Sequence, residues 1–217
     1  MSIPAEAFEA LIKELERRPL CVIKYRLVSG AGKSQTFGVV NRRSLAPDYS
    51  RQNWLRPYLY KLLLDFAAKY VSIPYTSITL NQNYKAKPHK DKGNIGNSFL
   101  VSFGNFTGGN LKIYGGEVGT SLSTSVDVRT PLITDFSKVF HEVEEFQGDR
   151  YSLVFYTLDK KHYKDAPELP PPSVVKIGNK FFFKRGDVVI RDGLPHPLKG
   201  RVGGIVRDNT PTEVSFF

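Results

Sequence analysis

Four histidines are available to metal or acid–base chemistry in this 217-residue chain: His89, His141, His162 and His196. The first is followed two residues later by a carboxylate, in Pro88-His89-Lys90-Asp91. On an extended segment, positions i and i+2 share a face, so imidazole and carboxylate can grip one ion together. A third donor stands in a later strand-like run, Val139-Phe140-His141-Glu142-Val143. If that run lies beside the first, His141 completes a face of two imidazoles and one carboxylate. Such a face leaves open positions on Fe(II) for a bidentate co-substrate and for O2. His162 and His196 fall outside this pattern and receive no role.

Arg150-Tyr151-Ser152 begins nine residues after His141. A strand over 142–146, a turn through Gln147-Gly148-Asp149 and a returning strand would carry Arg150 back towards the metal. A guanidinium there can hold a carboxylate through two parallel hydrogen bonds. Ser152, on the same strand face, can add a third. The set fits the distal carboxylate of 2-oxoglutarate, with its keto-acid end on iron. Taken singly, each of these residues reads as an ordinary surface or hydrogen-bonded group, and His-x-Asp is a short motif. The specificity lies in their order, on plausible strands, with a glycine turn between.

The elements that must position them follow from periodicity. Ser2 and Pro4 suggest a helix start, and Phe8, Leu11, Ile12 and Leu15 recur at helical spacing as a packing face. LCVIKYRLV and SQTFGVV read as strands around a turn at Gly30-Ala31-Gly32. Residues 48–70 are helical again, with Pro57 marking a kink or a second start. Beyond Tyr70 come short strands: TSITLNQNY, SFLVSFG, GNLKIYG, PLITDF, KVFHEVEEF and YSLVFYTL. Many short strands with Gly-rich turns predict a barrel or jelly roll, with the helices as an outer buttress. DAPELPPPS is an extended connector, and a basic, β-rich stretch follows. Its Phe181-Phe182-Phe183 run covers the barrel as a strand, or stacks bases among Lys180, Lys184 and Arg185. Phe103, Phe106 and Tyr114 are candidate walls of the site.

The net charge of +10 and pI of 9.6 favour a polyanionic partner, with a generally basic surface as the alternative. One cysteine, Cys21, excludes an intramolecular disulfide and a Cys-ligated zinc site, and its apolar surroundings suggest a buried thiol. No signal-peptide order and no stretch of membrane-spanning length is found, which points to an intracellular protein.

The catalytic residues carry a family resemblance. His-x-Asp, a distant His and Arg-x-Ser resemble the double-stranded β-helix dioxygenases. More narrowly, HKDKxN, FGxFTGGxL and GxRYSLVF, spread over about 76–158, look like the TET/JBP group, which oxidises the methyl group of thymine or 5-methylcytosine. The resemblance implies an α+β fold: a double-stranded β-helix (jelly-roll, cupin-like) with N-terminal buttressing helices and a small β-rich C-terminal extension. It implies a dioxygenase domain over 1–160, with the buttress at 1–75 and the core at 76–160, followed by the connector and extension at 161–217. Fe(II), 2-oxoglutarate and O2 are the implied cofactors, with His89, Asp91 and His141 on iron and Arg150 and Ser152 on 2-oxoglutarate. Asn94 matches an asparagine that contacts the target base, and is otherwise a turn residue. Lys85, Lys87, Lys90 and Lys92 meet phosphates or form the outer face of their strand. The implied substrate is a pyrimidine methyl group in DNA or RNA; a protein hydroxylase and an inactive nucleic-acid-binding barrel are the alternatives. The chain departs from the TET pattern in lacking a cysteine-rich region, and from the J-binding proteins in having no room for their DNA-binding domain.

Overall fold

A computed structural model describes residues 2–20, 30–42, 45–119, 122–159, 173–185, 188–191 and 194–196. Cys21, His162 and the stretch LCVIKYRLV after its first residue lie outside them, as does the side chain of His196. The first helix, α1 (Glu6–Arg17), begins after Ala5 with no side-chain cap. Ser2 therefore does not cap it; Glu6 and Glu9 in the first turn complement the helix dipole instead. Phe8, Leu11 and Leu15 form its buried stripe, as their spacing predicts.

The next strand, β1 (Gly30–Arg42), runs straight through Gly30-Ala31-Gly32, which is not a turn. Gly32 is needed for close approach: a Cβ there would lie 2.2 Å from the Asn83 carbonyl oxygen. β2 (Leu45–Tyr49) takes the beginning of the stretch expected to be helical. Helix α2 (Gln52–Leu55) is a single turn, and Pro57 opens a separate helix, α3 (Pro57–Tyr70), at the position where its missing N–H costs nothing.

Then come β3 (Ser77–Ala86), β4 (Asn94–Gly108), β5 (Leu111–Tyr114), β6 (Ser123–Val126), β7 (Leu132–Thr134), β8 (Phe140–Val143) and β9 (Phe146–Leu158). They form two antiparallel sheets, ordered β2-β1-β3-β9-β4-β7 and β6-β5-β8. This is the jelly-roll, double-stranded β-helix architecture. One face of the larger sheet carries Ile78, Leu80, Phe99, Val101, Phe103, Leu153 and Phe155 against α1 and α3. Its other face joins the smaller sheet around Leu100, Leu111, Phe136, Val143 and Val154. Strand alternation thus separates a helix-backed core from an inner space.

β10 (Ser173–Ile177), β11 (Lys180–Arg185), β12 (Val188–Arg191) and β13 (Leu194–His196) form a four-stranded antiparallel meander. The phenylalanine run splits by alternation. Phe183 is buried against Tyr49, Trp54 and Tyr60, and Phe181 meets Tyr58. Phe182 packs on the opposite side with Val189. The run therefore covers the helical layer and, through Tyr49, the β2 edge of the larger sheet.

Candidate active site

His89 does not lie on a strand. It makes an isolated antiparallel bridge with His141 on β8, each backbone N–H donating to the other's carbonyl at 3.0 Å. Asp91 sits in the turn that follows, its N–H donating to the Phe136 carbonyl at 3.0 Å. Two elements, β8 and the 135–138 turn before it, therefore pin the His-x-Asp segment. The side chains still converge, with one donor atom from each of His89, Asp91 and His141 lying within 4.8 Å of the others. His89 Nε2 is 3.4 Å from an Asp91 carboxylate oxygen.

Both imidazoles are oriented in the same way. His89 Nδ1 lies 2.7 Å from the Lys87 carbonyl, and His141 Nδ1 lies 3.2 Å from that of Val139. A carbonyl can only accept, so each Nδ1 carries a proton, and in the neutral tautomer this fixes, Nε2 has its lone pair for an ion. Burial, and then the neighbouring His89, hold His141 below the ordinary imidazole range, against the pull of Asp91. That favours the neutral, ligating form. The Phe136 ring packs beside His141, with centroids 4.6 Å apart.

These groups open into a cavity of about 570 Å³ between the two sheets. Arg150, Ser152, Val154 and Tyr156 of β9 line it on alternate positions, beside Thr79, Asn81, Tyr84 and Ala86 of β3. Arg150 comes from within a strand: 147–149 is not a turn but part of β9, paired with β4. Gly148 makes that pairing possible, since a Cβ there would sit 2.3 Å from the Asn105 oxygen. The connection between β8 and β9 is Glu144-Glu145.

The Arg150 guanidinium is buried, at 2% exposure, and its Nε donates to the Gly109 carbonyl at 3.1 Å. The rings of Phe106 and Phe146 flank it at 5.5 and 5.8 Å. Gly109 is obligatory here, with φ +69° and room for a Cβ only 2.8 Å from Arg150 Nε. Among the described residues no carboxylate pairs with Arg150. Burial, and then Arg129, bring its pKa down to about 10, so it stays cationic at neutral pH. Ser152 Oγ accepts from Asn81 Nδ2 at 3.2 Å.

Asn94 lines the mouth and donates from Nδ2 to Asp91 Oδ2 at 3.4 Å, while its N–H meets the Asp91 carbonyl at 2.9 Å. Lys90 and Lys92 line the same rim; Lys85 is paired with Glu145, and Lys87 is exposed. Two of the expected walls lie elsewhere. Phe103 faces the helices, stacked on Phe8 at 4.4 Å, and Tyr114 donates to Glu142. Phe106 reaches the site only through Arg150. Alternation within TSITLNQNY and YSLVFYTL could have identified Asn81, Val154 and Tyr156, whereas Tyr84 and Phe136 had no local signal.

Comparison with solved structures finds the same fold in NgTET1 in complex with 5mC DNA. The identity is 16%, over 75% of this chain and 70% of that one, with a TM-score of 0.50. Weaker likenesses are a Pseudomonas putida prolyl-4-hydroxylase (14% identity, 72% and 89% covered, TM-score 0.44) and a Burkholderia pseudomallei oxidoreductase of the 2OG-Fe(II) oxygenase family (18%, 72% and 83%, 0.47). No family model and no curated protein sequence matches the chain.

Proposed function

We propose that this chain is an Fe(II)- and 2-oxoglutarate-dependent dioxygenase that hydroxylates the methyl group of a pyrimidine base in nucleic acid. One observation carries the reaction class. Two imidazoles and a carboxylate converge at one end of a cavity whose wall also carries a buried arginine with no carboxylate partner among the described residues. The donor set suits ferrous iron: two nitrogens and one oxygen on one side, oriented by carbonyls behind them. When bound, Fe(II) with 2-oxoglutarate and O2 supplies the oxidising power for an unactivated C–H bond.

The protein's part is to bind, orient and exclude water. His89, Asp91 and His141 hold the metal. Arg150 and Ser152 hold the distal carboxylate of 2-oxoglutarate, a charge-assisted grip in a dry site. Leu100, Leu111, Val143, Val154 and Phe136 keep water from the space between. Asn94 uses one amide hydrogen on Asp91 and turns its remaining polar groups to a base edge. Lys90 and Lys92 meet phosphates, with Lys87 beyond them. Residues 1–160 form the dioxygenase domain and 161–217 a basic addition to it. The reading includes an intracellular setting, where iron stays ferrous. A duplex target has to flip its base out at a cost of a few kcal/mol, so single strands are the easier substrate.

The test supplies Fe(II), 2-oxoglutarate and air with single-stranded or duplex DNA or RNA containing thymine or 5-methylcytosine, or with a peptide pool. Succinate and oxidised base are measured. Oxidised base formed one-for-one with succinate supports the reading, and its rate falls steeply with salt. Turnover on peptides alone shifts it to a protein hydroxylase. Nucleic-acid binding without succinate, unchanged in His89→Ala, makes it an inactive binding barrel. Failure to bind metal and 2-oxoglutarate overturns the reaction class.

A further inference from the structure

β3 changes phase halfway along. Thr79 and Asn81 face the cavity on odd positions, yet further on Tyr84 and Ala86 face it on even ones. The switch is a β-bulge. Opposite β1, Lys33 pairs with Gln82 but Ala31 pairs with Lys85, so Asn83 and Tyr84 together face the single residue Gly32. Asn83 has φ +50°, the only non-glycine residue with positive φ among those described. Asparagine adopts that conformation more readily than other side chains. Without the bulge, Lys85 would point where Tyr84 and Ala86 do, towards Arg150.

The same residue meets Arg150 directly. The ladder between β3 and β9 runs from Ser77–Tyr156 to Gln82–Tyr151, and the next pair in that register is Asn83–Arg150. The bulge has turned the Asn83 carbonyl towards Gly32. The Arg150 N–H donates instead to the Asn83 side-chain oxygen, at 2.7 Å. The Asn83 amide nitrogen in turn donates to Asp149 Oδ1 at 3.1 Å. The side chain thus replaces a missing ladder carbonyl at Arg150, whose guanidinium enters the cavity from this end. A buried backbone N–H needs such an acceptor, so the bond fixes the β9 main chain at the root of the arginine.

We infer that Asn83 is a positioning residue for Arg150, holding its backbone through the side-chain amide so that the guanidinium meets a dicarboxylate correctly. The functional half of this inference rests on the reading of Arg150 as the 2-oxoglutarate anchor.

Asn83→Gly keeps the positive φ and removes only the side chain, and Asn83→Asp restores the acceptor. Two readouts are taken on the full chain. The first is hydrogen exchange of the Arg150 amide without ligand. Asn83→Gly is expected to speed it about tenfold, the effect of losing one hydrogen bond, with no change at Leu153 and reversal in Asn83→Asp. The second is calorimetric affinity of Mn(II)-loaded protein for 2-oxoglutarate and for pyruvate, which lacks the distal carboxylate. Asn83→Gly is expected to weaken 2-oxoglutarate about tenfold and leave pyruvate unchanged. A general loosening would weaken both. Unchanged exchange at Arg150 overturns the inference, and so does equal loss of the two ligands. If wild type and Arg150→Met bind 2-oxoglutarate alike, the reading of Arg150 fails and the functional half falls with it. The exchange result then still decides whether Asn83 fixes that backbone.

Discussion

Arg150→Met separates two effects that usually travel together. The Arg150 charge is buried and faces no carboxylate among the described residues. Its pKa falls from the ordinary guanidinium range to about 10, by burial and then by Arg129. At the standard conversion this is about 3 kcal/mol by which folding disfavours the charged form. For a base, a folded pKa below the unfolded one is a destabilisation. It is fully present below pH 10 and is relieved only as pH rises from there towards the ordinary guanidinium range. At pH 7 the wild type therefore carries it in full. Methionine has similar reach and no charge, so it fills the slot beside Phe106 and Phe146. It forfeits the bond to the Gly109 carbonyl, about 1–2 kcal/mol.

The ligand-free variant is therefore expected to be more stable by about 1 kcal/mol, a melting temperature higher by about 2–4 °C. Binding moves the other way. Loss of a two-pronged charge-assisted grip costs about 3–4 kcal/mol, a weakening of 2-oxoglutarate by about 100- to 1000-fold. Calorimetric melts of both proteins, with and without Mn(II) and 2-oxoglutarate, read both quantities together. The wild-type transition should rise on adding 2-oxoglutarate, and the variant's should not. A ligand-free variant melting several degrees below wild type would refute the reasoning, since Arg150 would then be a structural cation already compensated by the fold.

Gly109→Ala places a methyl 2.8 Å from Arg150 Nε at φ +69°. It should cost about 1–2 kcal/mol in urea denaturation and at least about tenfold in 2-oxoglutarate affinity; unchanged affinity would mean that the guanidinium has other room. The Ser137 hydroxyl, and then Lys138, hold the Asp135 carboxyl below its ordinary range, in the turn that carries Phe136. Its contribution is present above the unfolded value near 3.8 and lost as pH falls through the lower folded one. Asp135→Asn should thus be less stable than wild type at pH 7, with the difference shrinking as pH falls below 3.8, by denaturant titration across that range. Phe183 is fully buried between Tyr49, Trp54 and Tyr60. Phe183→Ala should cost about 3–5 kcal/mol and open the C-terminal meander to limited proteolysis, while metal binding to the remaining fold persists.

What the sequence made legible was what depends on local order. His89, Asp91, His141, Arg150 and Ser152 come together as their order suggests: i and i+2 spacing is local, and the bridge between His89 and His141 supplies the long-range step. The routes differ. His89 and Asp91 converge from a bridge and a turn, each pinned by one backbone bond, to His141 and to Phe136. Arg150 returns without a turn at Gly148, because that glycine lets β9 pass close to Asn105. A glycine inside a strand and a glycine in a turn look alike in sequence; only the partner strand distinguishes them. The same ambiguity misplaced Gly30-Ala31-Gly32. Phe103 was indistinguishable from a cavity wall for a related reason: which face of β4 is inner depends on where α1 docks Phe8.

That docking explains how one sheet serves two ends. On β9, Leu153 and Phe155 point to the helices, while Arg150, Ser152 and Val154 point to the cavity. One residue of slip would exchange the two sets. A wholly regular β3 would keep its odd positions inward and set the Lys85 ammonium beside a guanidinium that has no carboxylate partner among the described residues. The bulge at Asn83 removes that conflict, because it reverses the phase of β3 only beyond the point where Asn81 supports Ser152. The fold therefore tolerates an irregularity in the pairing of β3 with β1 at the level where the site carries its buried cation. The cost of that irregularity in ladder bonding is offset by the side chain of the same residue.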